Sequence, residues 1–159
     1  MRSTIIYFDK GGEGNTEEVL KLSAARYAEG DIEAVVIAST SGETAIKAAQ
    51  VFRDSGAKLL IVGEWLDGNQ HPARAIWEQL EQESHRVIWG IPMGQMSAFT
   101  KDDSANLVAK AYKRISEGFK VVCEIVLIGT SAGFLRPGAK VFSIAGTHRG
   151  ADTAIVALA

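Results

Sequence analysis

A single cysteine, Cys123, in a chain of 159 residues excludes an internal disulfide and any CxxC metal knuckle. Charge of one sign is also lacking. The 17 lysines and arginines nearly balance 19 aspartates and glutamates, and the basic residues are scattered. Nothing in that pattern favours nucleic acid or an anionic membrane as a partner. Long apolar runs are missing too, because the stretch inside MRSTIIYFDK is far too short for a signal peptide or a membrane span. Together these absences point to the cytoplasm. No repeat, linker or low-complexity tract interrupts the chain, which predicts one domain over residues 1–159. Catalytic signatures are equally scarce: there is no GxSxG elbow, no HExxH and no carboxylate pair at readable spacing.

What remains is an ordinary globular composition, 47% hydrophobic and 23% charged. Its order along the chain is informative. Thr4 to Phe8 is a β-branched and aromatic run that predicts a buried strand, followed by the glycine-rich loop from Gly11 to Asn15. Asn15 or Thr16 then caps a helix; with Asn15 as the cap, Glu18 completes a capping-box-like pair. Val19, Leu20, Leu22 and Ala25 form its apolar stripe, and Gly30 ends it. The unit repeats as a strand at 34–38, the turn Ser39-Thr40-Ser41-Gly42, and a helix at 43–53 closed by Gly56. A third strand is predicted at 58–62, a helix from Pro72 to about residue 82, and a short fourth strand at 87–89. Continuous apolar strands alternating with helices indicate a mostly parallel sheet covered on both faces, a three-layer α/β sandwich.

From Asp103 to Gly133 the signals conflict. Propensity alone makes Val121 to Ile128 a strand, yet the run ends in Ser131-Ala132-Gly133 with Pro137 beyond, the pattern of a helix C-terminus. Glu124 inside a strand buried on both faces would be costly, whereas a helix has a side where it can reach water or a partner. Helix is therefore predicted. Strands at 141–145 and 153–158 follow, joined by a loop too short for a crossover helix, so the last of about six strands is antiparallel and at an edge.

Ligands bind open parallel sheets outside the carboxyl ends of the strands. Three loops there are rich in glycine and hydroxyl residues: Gly11 to Thr16, Ser39 to Thr44, and Gly146 to Thr153. The first two also open helices, whose N-termini present unpaired N–H groups and partial positive charge. Converging donors with little bulk suit a dianionic phosphate. The first loop is the weakest of the three, matching neither GxGxxG nor the Walker pattern. Simple capping and turn formation also account for any one such loop. Arg149 is the firm positive charge among them and can pair bidentately with a phosphate, whereas Glu43 would repel it.

Beyond spacing, Ala38-Ser39-Thr40-Ser41-Gly42-Glu43-Thr44-Ala45 resembles the phosphate-binding loop in the C-terminal domain of pyruvate kinase, which holds a sugar-bisphosphate activator in several enzymes. Val141 to Gly146, then Gly150-Ala151-Asp152-Thr153-Ala154, resembles that domain's last strand pair and phosphate-wrapping loop. The chain is most similar to stand-alone pyruvate kinase C-terminal domain-like proteins, known mainly from archaea and some bacteria, which lack the catalytic barrel. Tyr7-Phe8, Asn15-Thr16-Glu17, Gly118-Phe119-Lys120-Val121, Glu124-Ile125 and Ala132-Gly133 add to that likeness. The resemblance implies helices on both sides of the sheet and, as in members of that group, flavin mononucleotide (FMN) at these loops. It further implies phosphate contacts at Ser39, Ser41, Gly42 and Thr44, with Gly146, Thr147, Gly150, Ala151 and Thr153 opposite and Asn15 and Thr16 closing the third side. The middle, residues 63–100, departs from the pattern, with 90–96 replacing a longer loop, and the family's tail beyond Ala159 is absent. If those segments cover the flavin ring, the phosphate site persists with another ligand.

Three functions stay open on the sequence: a ligand-binding or sensing domain for a phosphorylated small molecule, a small flavin-dependent or sugar-phosphate enzyme, and a subunit with a vestigial pocket. A homo-oligomer is compatible with each. For the enzyme, Asp9, Glu13 and His148 are the loop residues available as general acid or base. His71 and His85 read as surface imidazoles and Cys123 as a small core residue. Trp65, Trp77, Trp89, Met93 and Met96 read as core or subunit contact before ligand wall. Asp152 is expected to orient its own loop.

Overall fold

The apolar runs settle into five strands: β1 (Ala34–Ala38), β2 (Leu59–Glu64), β3 (Arg86–Gly90), β4 (Lys140–Ala145) and β5 (Thr153–Leu158). The structure is a computed structural model that describes residues 5–64, 74–93, 95 and 103–159. Strand order is β3-β2-β1-β4-β5. The first four run parallel, with Val36 beside Leu60 and Ile37 beside Ile144, and β5 pairs antiparallel to β4 with Ala154 opposite Ile144.

Period-two alternation sends these runs to two cores. Val35, Ile37, Leu59, Ile61 and Ile144 point to one face, against Leu20 of α1 (Thr16–Tyr27), Ala48 and Phe52 of α2 (Glu43–Phe52), and Leu80 of α3 (Arg74–Gln82). Val36, Leu60, Val62 and Val141 point to the other, against Ile125 and Val126 of α5 (Glu117–Ser131). Burial on both faces explains why the strands read as unbroken apolar runs. A fifth helix, α4 (Ser104–Lys113), buries only Ala109, so its sequence carries little apolar stripe to announce it. Among the described residues no helix is long and apolar enough to cross a membrane.

Two expectations need correction. Among the described residues the sheet has five strands, since the predicted first strand at 4–8, described from residue 5, joins no ladder. Ile5, Ile6 and Tyr7 stay exposed while Phe8 packs on the core, and strand propensity yields to context where the side chains find no half-buried pleated surface. The capping box also fails. Asn15 has helical φ and ψ at the end of a 3-10 turn (Glu13–Asn15), and its side chain donates to the Lys10 carbonyl instead of capping α1. The contested run from Val121 to Ile128 is helical, inside α5, with Ser116 accepting the Phe119 N–H at the helix start and Gly133 left-handed just past its end. Pro72, His71, Trp65 and Met96 lie outside the described residues.

Candidate ligand cleft

The chain leaves β1 through α2 toward β2 and β3, then returns through α4 and α5 to β4 on the other side of β1. The carboxyl ends of β1 and β4 are therefore neighbours whose onward connections lead to opposite sides, α2 toward β2 and the loop after β4 toward β5, the topological switch point at which open sheets bind ligands. Loop 39–42 leaves β1 there, and loop 146–152 leaves β4. Between them, and under one face of α5, lies a cleft of about 470 Å³. Its wall includes Ser39, Ser41, Thr44, Gly146, Arg149 and Gly150, half of the twelve residues assigned to the phosphate from sequence.

At the β1 side the turn aims the start of α2 at the cleft. Gly42 sits at φ 88°, a left-handed conformation that L side chains rarely adopt, and its carbonyl accepts the Ile46 N–H at 2.9 Å. The Ser39 hydroxyl accepts the Ala45 N–H at 3.3 Å, while Ser41 reaches the Glu43 N–H only at 3.5 Å. The Thr44 N–H and hydroxyl have no protein partner among the described residues, although the residue is 93% buried, at 7% exposure. The Thr44 hydroxyl is not among the buried unpartnered polar atoms of the described residues, so it stays within reach of solvent or of a ligand in the cleft.

At the β4 side the Arg149 N–H bonds back to the Thr147 carbonyl at 2.8 Å, a three-residue γ-turn holding His148 at φ 65°. His148 and Arg149 both line the cleft and are exposed. Arg149 has no carboxylate partner among the described residues, which leaves its charge available to an anion.

The other six assigned residues stand behind this wall. Thr16 is buried at 2%, donating to the Glu13 carbonyl at 2.7 Å and accepting the Ala151 N–H at 2.9 Å. Its hydroxyl joins the first loop to the third. Asp152 does the same with its carboxylate, accepting the Gly12 N–H at 2.7 Å, the Thr147 N–H at 3.1 Å and the Thr153 hydroxyl at 2.7 Å. Burial opposes its ionisation, but hydrogen bonds from Thr153, Thr147 and Gly12 prevail and hold its pKa below the ordinary aspartate value. The loop role expected for Asp152 is what the geometry shows. Gly42 shapes the turn, and Asn15, Thr147, Ala151 and Thr153 support the loops without lining the cleft.

The sequence reading did not place α5 at the site. Glu117, Lys120, Val121, Glu124, Ile125 and Ile128 recur at three- and four-residue intervals and present one helical face to the cleft. Lys120 pairs with Glu124 at 3.1 Å and Glu117 at 3.6 Å, and Glu124 also accepts the Met93 N–H. The available signal was a Lys–Glu pair four residues apart beside an apolar run. Of the proposed acid–base residues only His148 lines the cleft; Asp9 and Glu13 are exposed elsewhere. Trp77 and Trp89 meet edge to face at 5.3 Å and pack on the core, and Met93 is buried. Cys123 is half-buried, and burial pushes its thiol pKa up. His85, expected at the surface, is partly buried and its Nδ1 accepts the Leu59 N–H at 3.2 Å. Among the described residues no group of three His, Cys, Asp or Glu is placed to hold a metal ion.

Fold and cleft thus define a mostly parallel α/β protein with an open cleft of mixed polar and apolar lining at its switch point. No protein-family model matches the chain. Among solved structures, an O-ureido-L-serine synthase is similar over 62% of this chain at 19% identity, with a TM-score of 0.32. The matched region spans 29% of that synthase's length. At that level the likeness bears on neither activity nor ligand.

Proposed function

We propose that this protein binds a phosphorylated small molecule in the cleft between the β1 and β4 loops, as a ligand-binding or sensing domain of the stand-alone pyruvate kinase C-terminal type. One observation carries the reading: the Thr44 hydroxyl and N–H, at the start of α2, and the Arg149 guanidinium share a cleft, and among the described residues none of them has a side-chain or backbone partner. Uncommitted amides at a helix start, a hydroxyl and an arginine are the donor set a phosphate takes.

FMN is the favoured ligand. Its phosphate suits Thr44 and Arg149, and its ring would be held by the apolar part of the lining, Val62, Ile125 and Ile128. A bound flavin would supply visible absorbance and two-electron redox chemistry; this chain's residues would bind and orient it. No Phe, Tyr or Trp of the described residues lines the cleft, so the His148 imidazole is the aromatic ring among them available to stack on a flavin.

The visible spectrum of freshly purified protein, with released ligand identified by mass spectrometry, tests the flavin. A colourless protein is then screened by thermal shift against phosphorylated metabolites. A ligand at a hundred times its Kd stabilises by about 2.7 kcal/mol, which is readily detected. If no phosphorylated compound shifts the transition, the reading is wrong.

A further inference from the structure

The α5 wall of the cleft carries charge that phosphate binding does not use. Lys120 is buried at 7% and Glu124 at 4%, and they pair among Val121, Ile125 and Ile128. Desolvating an ion pair is expensive, and apolar residues of similar size are often as stable, so stability alone does not account for it. Its hydrogen bonds show what is spare. Glu124 spends one oxygen on Met93 and the other on Lys120. Lys120 donates to Glu124 at 3.1 Å and lies 3.6 Å from Glu117, an ion pair beyond hydrogen-bond reach, and an ammonium has three donors. At least one donor is therefore uncommitted among the described residues, beside the Glu117 carboxylate, whose side chain pairs with Lys113 at 3.0 Å and remains 31% exposed.

A donor and an acceptor side by side complement a hydroxyl group, which both gives and takes a hydrogen bond. They do not complement a second phosphate. Among the described lining residues, Glu43, Glu64, Glu117 and Glu124 face two cations, Lys120 and Arg149; Lys120 is shared between carboxylates, and Lys113, outside the lining, pairs with Glu117 and leaves the acidic excess at Glu43 and Glu64. One phosphate fits at Thr44 and Arg149; another at the α5 wall would meet like charge. We infer that the cleft takes a phosphorylated polyhydroxy compound bearing a single phosphate, with Lys120 donating to a ligand oxygen away from that phosphate. This rests on the phosphate reading above.

Calorimetry on the full chain with inorganic phosphate, ribose 5-phosphate and ribose 1,5-bisphosphate separates the two claims. Ribose 5-phosphate should bind at least about tenfold more tightly than inorganic phosphate, a difference well within calorimetric reach. The bisphosphate should bind no more tightly than the monophosphate. The double variant Lys120→Met, Glu124→Gln removes both charges together and keeps an acceptor for Met93. It should lose the gain for ribose 5-phosphate while inorganic phosphate binds as before. Should that variant fail to fold, Glu117→Gln, on a partly exposed side chain, must weaken ribose 5-phosphate and narrow the discrimination against the bisphosphate. Tighter bisphosphate binding, or a sugar phosphate gain untouched by these variants, overturns the inference and leaves the phosphate site standing. No binding of any of the three compounds overturns both.

Discussion

The carboxylate of Asp152 accepts the backbone N–H of Gly12 at 2.7 Å, a bond between residues 140 positions apart. With Thr16 receiving the Ala151 N–H, it fastens the first loop of the chain to the last, just behind the cleft. Three donors converge on this one side chain from Gly12, Thr147 and Thr153.

Asp152→Ala should leave those donors partly unsatisfied. The expected loss is about 2–3 kcal/mol in urea unfolding, less than three fully buried donors would cost because the site is only partly buried. Asp152→Asn keeps one acceptor oxygen and should fall between. An alanine variant as stable as the parent would mean that the clamp contributes nothing.

Acid should release the same clamp. Because the folded-state pKa of Asp152 is lowered, its contribution is complete above the ordinary aspartate pKa of 3.8 and is lost as pH falls through the lower folded value. Asp31, held low by Arg26 and Lys140, and Glu33, held low by Arg136 and Lys140, act in the same direction. Unfolding midpoints followed downward from about pH 5 should decline less steeply in Asp152→Asn than in the parent.

His85 gives a second, separate pH window. Burial lowers its pKa, helped by the charge of Lys58 and opposed by that of Glu83, and the neutral ring accepts the Leu59 N–H at the start of β2. The unfolded chain takes up this proton near the ordinary value of 6.5, before the folded one does. Stability should therefore fall as pH drops from about 7.5 to about 5.5, and His85→Gln should flatten that slope.

Gly42→Ala tests the turn that aims α2. A Cβ there would come within 2.6 Å of Ile76 Cγ2, in a backbone held at φ 88°. The strained conformation alone costs on the order of 1–3 kcal/mol. Thermal unfolding should report the loss, and phosphate affinity should fall with it as the helix start shifts.

Thr44→Val is the gentler probe of the site, since that hydroxyl has no protein partner among the described residues to lose. Combined with Ser41→Ala, it should weaken phosphate binding by roughly ten- to a hundredfold, as for a lost hydrogen bond to a charged group. The melting temperature of the free protein should stay nearly unchanged. Unaltered affinity for inorganic phosphate would place the site elsewhere.

Much of this molecule was legible in its residues. Apolar runs such as Val35-Val36-Ile37 are buried on both faces, which is a property of the strand itself, and the turn Ser41-Gly42 announces the helix after it. The short link from Ala145 to Thr153 forced β5 to run antiparallel. Glu124 marked α5 as a helix because a charge needs a side on which to find a partner.

Only the tertiary structure decided the rest, because those outcomes depend on groups distant in the chain. Thr4 to Phe8 has strand composition, yet from residue 5 it joins no ladder and Phe8 packs on the core instead. Whether Thr44 and Arg149 share a cleft follows from the placing of β4 beside β1, which no local pattern encodes. The face of α5 that turns toward them was set by packing against Leu60 and Val141, so Lys120 became part of the wall through the core it borders.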